Sequence, residues 1–228
     1  MDPFFFLVLT TIVIGIAFRY ADQRRFRHVL AERDARIAML EPLAFIDTLT
    51  GIGNRRKFDD TIASHVAHAF RADESLVVLY LDLNDFKSAN DRFGHPFGDK
   101  ILRRVAESLA GSIRPTDSAY RFGGDEFAVI LVHCDVDGAI AAAGRIVRSL
   151  ASGAVAYGDD LVPLSASIGG TCMENCGGQI LVGGKFIGSY NEPGLFAKIP
   201  AILCQGADNR LYVAKSRKSN EAFPVEIS

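Results

Sequence analysis

"RPTDSAYRFGGDEFAVIL", residues 114–131, sets two glycines and two carboxylates between runs that both read as β-strand. A tight connection between antiparallel strands calls for glycine, because its central residues need positive φ. The turn alone gives no reason for Asp125 and Glu126 to follow it, since adjacent carboxylates repel each other. They are either a solvated tip or a site for a cation.

Outward from this hairpin, residues 76–83, "LVVLYLDL", form an apolar run that ends in charge, as a central buried strand does. Asp82, Asp125 and Glu126 all fall at strand ends. If strand 76–83 lies beside the hairpin, Asp82 and Asp125 come within reach of one ion. Hard oxygen ligands of this kind suit Mg²⁺, which completes its shell with water and substrate phosphates. Gly123 and Gly124 would then let a phosphate approach the backbone with no Cβ in the way. Lys87, five residues after Asp82, would add a point charge over the same phosphates.

The periodicity predicts a helix over 55–69, with Phe58, Ile62 and Val66 on one face, and helices over 85–91 and 98–113, the latter stopped by Pro115. It also predicts an alanine-rich helix over 136–151, a strand over 162–168 and a last helix over 206–216. Strands and helices alternating around one hairpin give an α/β or α+β domain with a mixed sheet.

The chain has 228 residues and a net charge of -2, so no overall basic field argues for nucleic acid. Residues 3–18, "PFFFLVLTTIVIGIAF", are apolar and uncharged, preceded by Asp2 and followed by Arg19, Arg24, Arg25 and Arg27. That order is the reverse of a signal peptide. It predicts a transmembrane anchor over 1–19, single-pass in the inner membrane, with everything after it in the cytoplasm. A helix buried against the domain or a partner is the alternative. Residues 20–45 read as a connector helix in which Leu30, Ile37 and Ala44 repeat every seven, the pattern of a short coiled coil. In the cytoplasm Cys134, Cys172, Cys176 and Cys204 are expected as reduced thiols. His95, in "GHPFG", reads as a turn or core histidine rather than a metal ligand.

"RFGGDEF" resembles the signature of the GGDEF-domain diguanylate cyclases, which condense two GTP into cyclic di-GMP. "DTLTGIGNRR" (47–56) is similar to that family's opening motif, "LDLNDFKSANDRFGHPFGDKIL" (81–102) to its first strand and following helices, and "LYVAK" (211–215) to its final helix. The resemblance implies a GGDEF domain over 46–228. Its fold would be a palm-like, mixed but mainly antiparallel sheet flanked by helices, like the class III nucleotide cyclases. It implies Asp82, Asp125 and the Leu83 carbonyl as ligands of Mg²⁺, with Mn²⁺ the alternative. Asp125 would also be the base for the 3′-hydroxyl, with Glu126 beside the metals. Lys87 and Lys215 would hold phosphates, and Asn90 and Asp99 would read guanine. A carboxylate accepts from both N1–H and the N2 amine of guanine, whereas adenine offers neither donor there. The two-GTP reaction implies a homodimer.

Arg114 and Asp117 precede the glycines with five residues between Asp117 and Gly123, the spacing of that family's inhibitory cyclic di-GMP site; the alternative is a local Arg–Asp pair at a helix end. Two departures stand out. "AKSRKSN" places Lys218 and Ser219 where the family carries Gly-Arg, which leaves a weakened domain that binds GTP or cyclic di-GMP as the alternative function. Residues 171–205 are longer than the usual connection and contain "QILVGGKFIG", an expected extra hairpin around Gly183 and Gly184.

Overall fold

In this computed structural model the described residues are Arg19, 45–158, 160–176, 179–189, 195–216 and 225–228. The expected anchor and connector, Ser219 and the side chain of Cys176 lie outside them. Among the described residues no helix is long and apolar enough to cross a membrane. The unit Phe45–Ser228 is compact.

In chain order it runs β1 (Gly53–Asn54), α1 (Arg55–Ala72), β2 (Leu76–Leu83), α2 (Phe86–Phe93), α3 (His95–Ser112), β3 (Ser118–Gly123) and β4 (Glu126–Val132). Then follow α4 (Val136–Ala151), β5 (Val155–Tyr157), β6 (Asp160–Val162), β7 (Ala166–Cys176), β8 (Gln179–Val182), β9 (Lys185–Ser189), α5 (Leu195–Ser216) and β10 (Val225–Ile227). The main sheet has the order β1-β3-β4-β2-β7-β8-β9, with β10 also paired to β7, while β5 and β6 form a separate hairpin. β2 is antiparallel to both β4 and β7; β1 and β10 join in parallel. The sheet is thus mixed and mainly antiparallel, as expected.

The helices form where local chemistry starts and stops them. The Asn54 side chain accepts from Lys57 N at 3.0 Å and caps α1, whose Phe58, Ile62, Val66, Ala69 and Phe70 are buried. Asp135 caps α4 by accepting from Gly138 N at 2.8 Å. Two apolar layers result. Val77, Leu79, Leu81 and Leu83 pack with α3 and α4, while Leu76 and Val78 pack with α1 and α5. Successive residues of a strand point to opposite faces, so Asp82 shares the α5 face.

Several local expectations are corrected. The strand expected over 162–168 is split: Asp160–Val162 pairs with β5, and the central strand begins at Ala166 and runs to Cys176. Pro163, which cannot donate to a ladder, falls in the gap. The last helix begins at Leu195 rather than 206, and Pro200 lies inside it. Both ends of the 171–205 stretch are consequently built into the core, as β7 and α5. Between them the expected hairpin is present, turning at Gly183 and Gly184, both with positive φ. His95 opens α3 and is exposed, so it belongs to neither turn nor core.

α5 lies closely on the sheet because Gly169 of β7 has no side chain. A Cβ there would meet the backbone of Leu211 and the Ala207 carbonyl at once. This seat fixes how α5 crosses the end of β2.

Candidate active site

The hairpin of β3 and β4 turns through Gly124 and Asp125, with Gly123 paired to Glu126. Gly123 and Gly124 have φ of 145° and 53°, and a Cβ at either would meet nothing within 4 Å. Their surroundings are open, as an approaching ligand requires. Arg121 holds the turn from beneath. Its Nε and one terminal nitrogen donate to the Gly124 carbonyl at 3.1 and 2.9 Å. The other terminal nitrogen donates to both Asp47 oxygens at 3.2 and 3.3 Å. Burial opposes ionisation of Asp47, but hydrogen bonds from the Thr50 hydroxyl and N–H, together with Arg121, outweigh it and hold its carboxyl below the ordinary value. Sequence reasoning assigned Asp47 and Arg121 no individual role; the one local signal is the Asp47–Thr50 spacing, which suits a side-chain-to-backbone turn.

Asp82 and Asp125 meet at one cleft of about 330 Å³, which Leu83, Lys87 and Lys215 also line. β4 delivers Asp125 through the ladder: Asp82 is paired with Glu126, and Leu83 N donates to the Asp125 carbonyl at 3.3 Å. α5 delivers Lys215, whose Nζ is 2.8 Å from Asp82 Oδ2. Burial pushes the Asp125 carboxyl above its ordinary value, and the Asp82 charge adds to the push. Its own backbone N–H, Lys215 and Arg121 pull the other way without cancelling it. Two neighbouring carboxylates, beside Leu83 and two lysines, form a donor set that fits a hard divalent cation carrying phosphates.

Glu126 is exposed and lines a separate cleft with Tyr80, Phe122 and Asp208 rather than the one at Asp125. Asn90 and Asp99 do not line the acidic cleft; Asn90 lies in α2 and Asp99 in α3. The Asn90 side chain rests against Gly98, where a Cβ would collide with Oδ1. That buried oxygen has no hydrogen-bond partner among the described residues, an unmet acceptor of the kind a ligand donor satisfies. A second cleft of about 510 Å³, lined by Phe86, Phe93 and Leu164, shares Leu83 and Asp85 with the acidic one.

Arg114 and Asp117 lie at the other end of β3. Asp117 accepts from Arg114 N at 2.9 Å and from Val132 N at 3.2 Å, closing the turn and tying it to β4. Arg114 is exposed. Cys134, Cys172 and Cys204 are free, and burial pushes each thiol up, Cys172 to about 12.

Residues 44–181 match the family described as Diguanylate cyclase, GGDEF domain. The diguanylate cyclase DgcS of Shewanella oneidensis is 43% identical over 109 residues, 48% of this chain and 35% of that protein. The diguanylate cyclase DosC of Escherichia coli K12 is 32% identical over 177 residues, 77% of this chain and 34% of that protein. The chain thus spans about a third of the length of these curated relatives. The coiled coil and GGDEF domain of DgcB from Caulobacter crescentus, solved with c-di-GMP, superposes with a TM-score of 0.69 at 22% identity, covering 93% of this chain and 99% of that one. That likeness is one of fold.

Proposed function

The chain belongs to the GGDEF domain family, and from that membership we propose that it is a diguanylate cyclase, condensing two GTP into cyclic di-GMP and two pyrophosphates. The observation that carries the reading is the convergence of Asp82, Asp125, Lys87 and Lys215 on one cleft. Asp82, Asp125 and the Leu83 carbonyl would hold Mg²⁺ or Mn²⁺, which when bound neutralises phosphate charge and polarises the α-phosphate. Lys87 and Lys215 contact phosphate oxygens; to do so Lys215 exchanges its ion pair with Asp82 for one with the substrate. The open backbone at Gly123 and Gly124 admits the phosphates. Asp125, whose raised affinity for protons suits a base, takes the proton of a 3′-hydroxyl as that oxygen attacks the α-phosphorus of the second GTP and pyrophosphate departs. Asn90 and Asp99 accept from the guanine edge. Glu126, on the same face as Asp82 but in the adjoining cleft, contributes charge rather than direct contact.

Each domain holds one GTP in this scheme, so the active form is a homodimer. Residues 1–19 anchor it in the inner membrane and 20–45 pair the two cytoplasmic domains. Cyclic di-GMP binds back at Arg114 and Asp117, where the guanidinium forks onto guanine O6 and N7, and inhibits. A second reading, a binding module without turnover, is favoured by Lys218 and Ser219 replacing Gly-Arg after the last helix. Incubation of the full chain in detergent with GTP and Mg²⁺, then with Mn²⁺, separates the two. Cyclic di-GMP and pyrophosphate are expected in a 1:2 ratio. Neither product at high protein concentration, with GTP bound, would establish the binding module.

A further inference from the structure

At the end of the sheet opposite the acidic cleft, three potential metal ligands converge: His68, Glu74 and His133, with ligand atoms all within 4.8 Å of one another. They come from three backbone segments that the fold locks together. His68 sits in the final turns of α1, between the buried Val66 and Phe70. Glu74 follows the helix end, where its N–H donates to the Ala69 carbonyl at 2.8 Å after Asp73 turns the chain at φ 57°. His133 stands just beyond the last β2–β4 pair, Leu76–Val132, and Cys134 N donates to the Ser75 carbonyl at 3.2 Å. His133 itself has φ 49°. Histidine tolerates that region better than most side chains, but it is uncommon backbone, and such conformations gather where function fixes a side chain. The His68 and His133 rings are perpendicular, 6.2 Å apart, and His133 Nδ1 is 2.6 Å from Glu74 Oε2.

We propose that His68, Glu74 and His133 bind one Zn²⁺, with water in the fourth position. Two imidazoles and a carboxylate are a three-ligand zinc set. Ligands bound tetrahedrally at about 2.1 Å lie roughly 3.4 Å apart, so closing from 4.8 Å takes small side-chain rotations at an accessible surface. Binding replaces the His133–Glu74 hydrogen bond with two metal bonds and ties the end of α1 to the β2–β4 ladder. Imidazole ligands disfavour Mg²⁺, so this site and the carboxylate cleft, roughly 20 Å away along β2, select different metals. The proposal rests on geometry and is independent of the cyclase reading.

The test uses the full chain stripped with chelator and then held in millimolar Mg²⁺. Zn²⁺ competed against a chromophoric chelator is expected to bind at one equivalent, and Co²⁺ to give the visible bands of a four-coordinate site without thiolate charge transfer. At a hundredfold excess over its dissociation constant Zn²⁺ raises the thermal midpoint by roughly 5–10 °C. His133→Asn, which keeps a side chain tolerant of positive φ, weakens binding about a hundredfold and removes that shift. His68→Asn, on the helix surface, reads the same loss without touching the strained residue. No binding in the wild type, or wild-type affinity and shift in the His68→Asn protein, overturns the proposal. A thiolate charge-transfer band overturns it as well.

Discussion

At the scale of single residues, Asp125 carries a measurable conflict between stability and chemistry. Its pKa in the metal-free fold lies above its unfolded value of 3.8, because of burial and then the Asp82 charge. Ionising it therefore costs the fold stability: nothing below about pH 3.8, increasingly as pH rises towards the folded pKa, and fully above that. Asp125→Asn is expected to raise the thermal midpoint at pH 7 without metal, with the gain shrinking as pH is lowered towards 4; calorimetry across that range measures it. The same variant should lower cyclic di-GMP formation by at least about a hundredfold. Asp82 and Asp125 were legible in the sequence because a carboxylate ending an apolar strand has no packing explanation. Asp47 and Arg121 were not, being 74 residues apart with a pairing that exists only once β1 lies beside β3.

At the scale of elements, the close seating of α5 on β7 makes Gly169 a control point for Lys215. Gly169→Ala forces the helix off the sheet and is expected to cost about 1–3 kcal/mol of stability by overpacking. Denaturant titration gives that cost, and the KM for GTP should rise alongside it, since Lys215 no longer sits over Asp82. Helices α1 to α4 and strand β2 were readable from periodicity, and the hairpins at Gly123–Gly124 and Gly183–Gly184 from their glycines, but not the β5–β6 hairpin. β7 was not, because its middle is small and polar, Gly169–Gly170–Thr171–Cys172, without the alternation or apolar run that marks a strand. The first half of α5 was hidden by Pro200 and Gly206, residues that ordinarily argue against a helix and are outweighed here by burial of Leu195, Ile199 and Leu203.

For the whole molecule, the two ends of β3 separate the proposed catalysis from its proposed brake. Arg114 is the cleaner residue to change, because Asp117 also holds the turn through Arg114 N and Val132 N. Arg114→Ala should leave the initial rate within about twofold, a surface change of small structural effect, while raising the cyclic di-GMP concentration for half-inhibition tenfold or more, read in progress curves. Unchanged inhibition assigns that turn to folding alone. If two domains share one reaction, specific activity rises with enzyme concentration before reaching a plateau; a flat profile from nanomolar upward with a monomeric mass rejects the paired site. Neither behaviour was written in the bulk composition. The proposed brake depends on a hairpin whose two ends the sequence displayed together.

The strict alternation of β2 also bears on the gene. Asp82 must face α5 while Leu83 turns its side chain into the opposite layer. Losing one codon among residues 77–81 would exchange the two faces beyond the deletion, burying a carboxylate among leucines and turning Leu83 towards Lys215. Losing two would shorten the strand but restore every face. The length of this strand is thus guarded as an odd-or-even quantity, and paired indels should survive selection for activity where single ones do not.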